Sequence, residues 1–432
     1  MRSRRFCIFL CLALLAAPCA LAIPPDEEVV LRCGRLIDSR SGSPVSNAVI
    51  EEAEGRIVAA GEKLTAPDRA KVIDLGSATC LPGLIDLHAH ILVDPALGAG
   101  DSGFLNRSSA RKALDGLRNA QAFLKQGFTT LRDPGDQDAY FATVDIRNVL
   151  SQGKFIGPRL LVAPHWLTAT GGHGDLNDLA PDVLAMAEGK IVSGPGAMRE
   201  AVRQEIKYGA DWIKLYVTGG VMSAADNPRV TSFTDDEVRA AVDETHRHGK
   251  KITVHAIGTE GIKQAVRAGV DCVEHGILID RESIELMKEH GTLLVPTLYV
   301  LNYVVEQGPR LGFPAESVAK GRSLIEERDR NLRAAFAAGV KIGFGSDTIY
   351  PVEQAPREFA LLTVLGLSPL QAIRAATING ASVLGLEREI GTIEAGKAAD
   401  IIAVSGNPLE DIRALEHVKF VMKSGQVIKN EF

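Results

Sequence analysis

The chain has no surplus of positive charge: 48 Lys and Arg stand against 54 Asp and Glu, for a formal net charge of -6. The electrostatic footprint of a nucleic-acid binder is missing, so no nucleic-acid partner is expected. Cysteine is scarce. Of six, Cys7, Cys11 and Cys19 lie near the N-terminus, leaving Cys33, Cys80 and Cys272, an odd number too small for a disulfide framework. A Cys33–Cys80 bridge is open but cannot be deduced from spacing, and unpaired buried thiols are the expectation. The 42 Gly and 20 Pro show no period, which excludes a collagen-like chain. Beyond residue 22 no run of 18 apolar residues occurs, so no membrane partner is expected. No Gly-rich dinucleotide fingerprint follows an early strand.

What is present is globular. With 46% hydrophobic and 24% charged residues, a chain of 432 residues buries a substantial core and suits one large domain with a smaller one. Arg2, Arg4 and Arg5 precede an apolar run from Phe6 to Leu21 that ends in the small-residue site Ala20-Leu21-Ala22. This grammar predicts an export signal over 1–22, cleaved after Ala22, and a periplasmic or secreted chain that is soluble after cleavage. Lipidation at Cys19 is the competing reading, but Pro18 makes a poor lipobox.

Short strands separated by turn residues fill Val29 to Cys80, and the same pattern returns from Ala399 to Phe432. One small β-sandwich domain from both chain ends, 23–82 and 385–432, is therefore expected. Between them, over 83–384, strands and helices alternate. The candidate strands are Leu84–His90, Thr129–Pro134, Arg159–Pro164, Trp212–Val217, Lys251–Ala256, Cys272–Gly276, Leu293–Leu298 and Lys341–Asp347. Thr234-Asp235-Asp236-Glu237 is a capping box that opens a helix ending near His248-Gly249. Eight strand–helix units predict an α/β fold, a (β/α)8 TIM barrel, rather than a doubly wound open sheet.

A barrel carries its chemistry at the C-terminal ends of its strands. There the sequence places His88 and His90, spaced i and i+2 so that they share a face, then Lys214, His255, His275 and Asp347. Each alone has an ordinary structural explanation; Lys214, for instance, could pair with an acid such as Asp133. Independent structural histidines would scatter, yet four of the ten gather at these ends. His246, His248 and His290 fall at predicted helix C-termini, where the dipole suits them, and with His417 they read as structural.

The pattern resembles the amidohydrolase superfamily over essentially the whole chain after the signal. It rests on the split β domain, on Pro82-Gly83-Leu84-Ile85-Asp86 before His88-Ala89-His90, on Gly345-Ser346-Asp347, and on Gly391-Thr392-Ile393-Glu394-Ala395-Gly396-Lys397-Ala398-Ala399-Asp400. Lys214-Leu215-Tyr216-Val217-Thr218-Gly219-Gly220-Val221 and Thr170-Gly171-Gly172-His173-Gly174 are similar to the secreted branch of Xaa-Pro dipeptidases and carboxypeptidase-like enzymes, which microbial ochratoxin-hydrolysing amidohydrolases also resemble. The resemblance implies a metal-dependent hydrolase of C–N bonds with two zinc ions. His88, His90 and Asp347 would hold the more buried ion, His255 and His275 the other. Lys214, carboxylated on its amine, would bridge them, since an ammonium beside two dications is repelled and a carbamate is not. Asp347 would also move the proton, and no Ser/His/Asp or Cys/His arrangement is required.

The expected substrate is a small-molecule amide or dipeptide with a C-terminal Pro, basic or aromatic amino acid, ochratoxin-type N-acyl aromatic amino acids included, and the resemblance implies a homo-oligomer. His173 and His165 are candidates to touch the substrate carbonyl or carboxylate; Tyr216 could share the face of Lys214, and Arg132 and Arg229 could pair a free carboxylate, roles that core packing and structural salt bridges explain as well. A cyclic amidohydrolase of the imidazolonepropionase type and a non-catalytic periplasmic binding protein are the alternatives.

Overall fold

A computed structural model describes residues 28–432 except 63, 65–69, 95–105, 137, 178, 181, 183–188 and 224. The expected signal, 1–22, lies outside the described residues.

The two chain ends build one sheet. Its path is β17 (Gln426–Asn430), β16 (Val418–Lys423), β15 (Ile401–Val404), β5 (Thr79–Pro82), β1 (Val29–Ile37), β2 (Pro44–Ala53) and β3 (Arg56–Gly61), with β4 (Lys71–Asp74) beside β1. The expected partnership of the termini is present, and the strands pair along one mixed eight-stranded path. The edge of β3 is not left bare. Ile57 donates its N–H to the Lys397 carbonyl at 2.8 Å and accepts from Gly396 at 2.8 Å, so the segment leading into β15 covers it. Leu31, Ile50, Cys80, Ile401, Phe420 and Met422 meet in a core drawn from both ends.

Within that core Cys33 and Cys80 form a disulfide, with Cα atoms 6.2 Å apart, which corrects the expectation of unpaired thiols. The two residues sit on adjacent strands, β1 and β5, a neighbourhood that spacing alone does not show. Cys272 is the free, buried thiol among the described residues.

The middle of the chain is a TIM-barrel-like α/β unit. β6 (Leu84–Asp86), β7 (Phe128–Asp133) and β8 (Arg159–Val162) pair in parallel, as do β10 (Lys190–Ile191), β9 (Trp166–Thr168), β11 (Trp212–Tyr216), β12 (Lys251–Ala256), β13 (Cys272–His275) and β14 (Leu293–Val295). These are sheets of three and six strands, not one continuous eight-stranded sheet. The expected third strand is interrupted at Ala163-Pro164-His165, where proline has no N–H to give; β8 then pairs with β7, and β9 with β11. The expected eighth strand, Lys341–Asp347, forms only a single bridge, Leu294 to Ile342. Still, the Leu294 N–H reaches the Lys341 carbonyl at 2.9 Å and the Leu87 N–H the Phe344 carbonyl at 2.9 Å, so this segment runs between β14 and β6. Apart from the added β10, neighbours follow chain order without reversing, which sets the unit apart from a doubly wound sheet.

Amphipathic helices connect the strands, among them α1 (Ser109–Lys125), α2 (Ala142–Ser151), α3 (Pro195–Lys207), α4 (Asp235–Arg247), α5 (Thr259–Ala268), α6 (Arg281–His290), α7 (Leu298–Leu311) and α8 (Ala315–Ala337). The predicted capping box opens α4, with the Glu237 carboxylate accepting the Thr234 N–H at 2.9 Å. Phe344 packs between Phe128, 5.3 Å away between ring centroids, and Phe359 at 4.4 Å, so the eighth segment is tied to the core by aromatic contacts.

Candidate active site

Three chain segments turn abruptly where the cavity opens. His275 (φ 69°), Thr297 (φ 45°) and Asp347 (φ 52°) all adopt left-handed backbone, unusual for side chains of this size and most of all for a β-branched threonine. Each such conformation costs on the order of 1–3 kcal/mol and persists only where the surroundings enforce it. Gly345 permits the approach: a Cβ there would lie 2.3 Å from Val295 Cγ1 and 2.8 Å from His88 Cβ. Asp86 clamps the same corner from beneath, accepting the N–H groups of His88 (3.0 Å) and Ser346 (3.1 Å).

All six strand-end groups predicted from sequence line one cavity. His88 and His90 bring their Nε2 atoms within 3.2 Å, and Asp347 Oδ1 stands 3.1 Å from His90 Nε2 and 3.6 Å from His88 Nε2. The other ring nitrogens are engaged outward: His88 Nδ1 by Glu274 at 2.8 Å, His90 Nδ1 by the Gly135 carbonyl at 2.7 Å, His275 Nδ1 by Thr297 Oγ1 at 2.7 Å. His255 has its Nε2 3.1 Å from the Gly219 carbonyl. His88, His90 and His275 thus each have one nitrogen held by protein, while the Nε2 atoms of His88 and His90 converge on Asp347, an arrangement of the kind that orients metal-ligating histidines.

Electrostatics agree. Burial lowers the pKa of His88, His255 and His275, with neighbouring cationic groups adding to it, so these rings are held neutral, the form that ligates. Burial also opposes the charged form of His90, but Asp347 outweighs it and raises that pKa. For Asp347 burial is again the largest influence, overcome by His88 and His90, leaving its pKa at about 2. Lys214 is 1% exposed, and its Nζ has no hydrogen-bond partner. Burial brings its pKa down to about 8. A buried amine without a partner, beside a carboxylate and neutral imidazoles, fits a bridging role between cations and fits poorly as a structural lysine. It does not pair with Asp133, whose carboxylate accepts the Ile91 and Gly135 N–H groups.

His88, His90 and Asp347 are close enough to share one ion. His90, Asp133 and Asp136 are also close, but the two aspartates are engaged with backbone N–H groups of Ile91, Leu92 and Gly135 and serve to join the ends of β6 and β7.

The candidate substrate contacts divide. His173 reaches the cavity, stacked on His255 with ring centroids 4.4 Å apart, its Nδ1 2.7 Å from Ser223 Oγ and 3.4 Å from Asp226. Gly220 makes room for it, since a Cβ there would lie 2.3 Å from its ring. His165 is not brought to the cavity: it is buried at the β8–β9 break against Glu205 of α3, 2.9 Å away. Arg132 is internal, bonded to Glu274 and to the Leu87 carbonyl, and Arg229 pairs with Glu327 at 2.6 Å on the surface. Tyr216 lines the cavity, stacked on Trp166. His246 and His248 pair with Asp271 and Glu244, as expected of structural residues.

Sequence reasoning missed Glu274, Thr297, Ser223 and Asp226, the residues that hold the rings of His88, His275 and His173. Glu274 carried a signal, being a carboxylate in a strand core next to a candidate ligand; the others did not.

The amidohydrolase family model matches residues 79–428. The chain belongs to the amidohydrolase family. Ochratoxinase of Aspergillus niger is 29% identical over 443 residues, covering 95% of this chain and 89% of the relative. An imidazolonepropionase of Shouchella clausii is 22% identical, covering 94% and 92%. Among solved structures, a Xaa-Pro dipeptidase with methionine bound in its active site superposes with a TM-score of 0.88 at 35% identity, covering 94% of this chain and all of that one. This amidohydrolase is accordingly a hydrolase, and its family generally binds metal ions.

Proposed function

We propose that this protein is an exported, metal-dependent amidohydrolase that cleaves the amide or peptide bond to a C-terminal amino acid. One observation carries the reading: Lys214, buried and without a hydrogen-bond partner, sits in one cavity with His88, His90, His255, His275 and Asp347. His88, His90 and Asp347 would hold one zinc ion, His255 and His275 a second, and Lys214 as a carbamate would bridge them. Carboxylation needs the neutral amine, and a pKa of about 8 leaves a usable fraction of it near neutral pH. The ions, when bound, lower the pKa of a shared water and polarise the scissile carbonyl.

This chain's residues do the rest. Asp347 accepts the proton of the attacking water and delivers it to the leaving nitrogen, a step that amides need because an amide anion leaves poorly. Glu274 and Thr297 fix the rings of His88 and His275. His173, with Nδ1 engaged by Ser223, turns Nε2 to the substrate carbonyl or carboxylate.

The named relatives support the substrate class, since a Xaa-Pro dipeptidase and an ochratoxinase share this fold along nearly their whole length. Export is supported by the N-terminal grammar and by the Cys33–Cys80 disulfide, since such bonds persist in oxidising compartments. A signal over 1–22, a β domain over 23–82 and 385–432, a closed barrel over 83–384 and a homo-oligomeric state complete the proposal.

The test is a metal analysis of the purified chain alongside a panel of dipeptides, N-acyl amino acids and cyclic amides. Two zinc ions per chain with turnover of the first two classes is expected. Turnover of cyclic amides alone would reassign the enzyme to the imidazolonepropionase type, and bound metal without turnover would leave a binding protein.

A further inference from the structure

The cavity lining is of two kinds. One is the polar cluster of His88, His90, Lys214, His255, His275 and Asp347; the other is a wall of Val221, Met222, Ile277, Val300, Val304 and Ile349, which pack in one apolar cluster. Val300 and Val304 lie one turn apart on α7, so one face of that helix supplies much of the wall. Met222, Val300 and Ile349 are only half-buried, so apolar carbon is exposed inside a concave site and is covered when a ligand enters. Among the described lining residues, Asp347 is the one carboxylate, Lys214 the one lysine, and there is no arginine. The nearby acid beyond the wall, Asp226, is already paired with Lys320 at 2.9 Å and with His173.

We infer that the group the substrate presents to this wall is an uncharged apolar or aromatic side chain, and that substrates carrying Lys, Arg, Asp or Glu there are rejected. This rests on the amide-hydrolase reading above and names the substrate class within it. A charged side chain would be stripped of water against aliphatic carbon with no counter-charge to meet, whereas a phenyl, isobutyl or thioether group gains contact area. This apolar wall, not the metal cluster, therefore sets the choice of substrate.

The experiment uses the zinc-loaded full chain and two readouts. The first is kcat/KM for paired dipeptides, Ala-Phe and Phe-Ala against Ala-Lys, Lys-Ala, Ala-Glu and Glu-Ala. On at least one side of the bond the apolar member is expected to win by about 100-fold. The second is the melting midpoint with the free amino acids: L-methionine and L-phenylalanine raise it, while L-lysine and L-glutamate at equal concentration do not. Val300→Asp, at a half-buried position, is expected to move the Lys-to-Phe ratio by about 10-fold toward lysine, and Met222→Glu serves if that variant does not fold. Equal rates for charged and apolar members on both sides, with no selectivity in the midpoint shifts, overturn the inference while leaving the amide-hydrolase reading intact. Selective midpoint shifts without turnover of any dipeptide or N-acyl amino acid uphold the apolar wall and overturn that reading instead.

Discussion

The Nδ1 atom of His88 lies 2.8 Å from Oε2 of Glu274, a carboxylate contributed by β13. Glu274 is fully buried and is shared with Arg132 and Thr253, so its negative charge is compensated while it holds the His88 ring with Nε2 toward Asp347. Removing the charge while keeping the shape isolates this role. Glu274→Gln is expected to weaken metal binding by about 10–100-fold. Titration with a competing chelator, read beside the melting midpoint of the metal-free protein, checks it; unchanged metal affinity would show that the carboxylate serves Arg132 alone.

Lys214→Ala and Asp347→Asn test the centre itself. Lys214→Ala removes a group whose Nζ makes no hydrogen bond to the protein, so stability should change little compared with a typical core truncation of about 2–5 kcal/mol, while bound metal falls and activity is lost. Asp347→Asn keeps volume but removes both a ligand charge and the proton carrier, so kcat should fall by at least about 100-fold. Metal analysis and steady-state kinetics on the two variants distinguish the roles.

The legible part of this centre was its gathering at the strand ends. The first strand ends at Asp86 rather than running on to His90, so His88 and His90 meet in the turn beyond it, with their Nε2 atoms 3.2 Å apart, and not through strand alternation. His165 and His173 looked alike because both follow the third strand, yet Pro164 interrupts that strand and leaves His165 packed on Glu205 while His173 returns to the cavity. The left-handed turn at Thr297 carries no sequence signal, since a β-branched residue disfavours such backbone, whereas Asp347 is of a type that tolerates it. The small sheet's pairing was likewise hidden, because β5 bridges the two chain ends and is only four residues long.

The Cys33–Cys80 disulfide closes a loop of 47 residues, and chain-entropy arguments assign such a crosslink about 4 kcal/mol. Reduction, or Cys33→Ser with Cys80→Ser, should lower the melting midpoint by several degrees without changing metal content, because the bond lies in the small sheet and not in the cavity. Cys272 should not react with alkylating reagents in the folded protein, as burial pushes its thiol up to about 12. Mass spectrometry after alkylation, with and without reductant, reads both outcomes.

Glu358 introduces a pH dependence of stability. Its carboxyl accepts the N–H groups of Leu298 (2.9 Å) and Tyr299 (2.7 Å) at the start of α7, and burial raises its pKa to about 8. In the folded chain it thus binds a proton that the unfolded chain releases near its ordinary value of 4.5. Its contribution is therefore full below that value and declines as pH rises toward 8. Glu358→Gln should flatten the fall in melting midpoint over this window; an identical slope in the two proteins would assign the dependence to other groups.

His173 and His165 make opposite predictions from similar sequence positions. His173 stacks on His255 inside the cavity and is held by Ser223 and Asp226, so His173→Ala should raise KM or lower kcat/KM by at least about 10-fold, with metal content unchanged. Asp226→Asn should show part of the same loss, since it loosens the ring without touching substrate. His165 meets Glu205 and Phe141 behind the strand, so His165→Gln should cost stability and leave kcat/KM within about twofold. Kinetics and thermal melts on the three variants decide it: a large catalytic defect in His165→Gln at full stability would mean that the β8–β9 break opens onto the substrate after all.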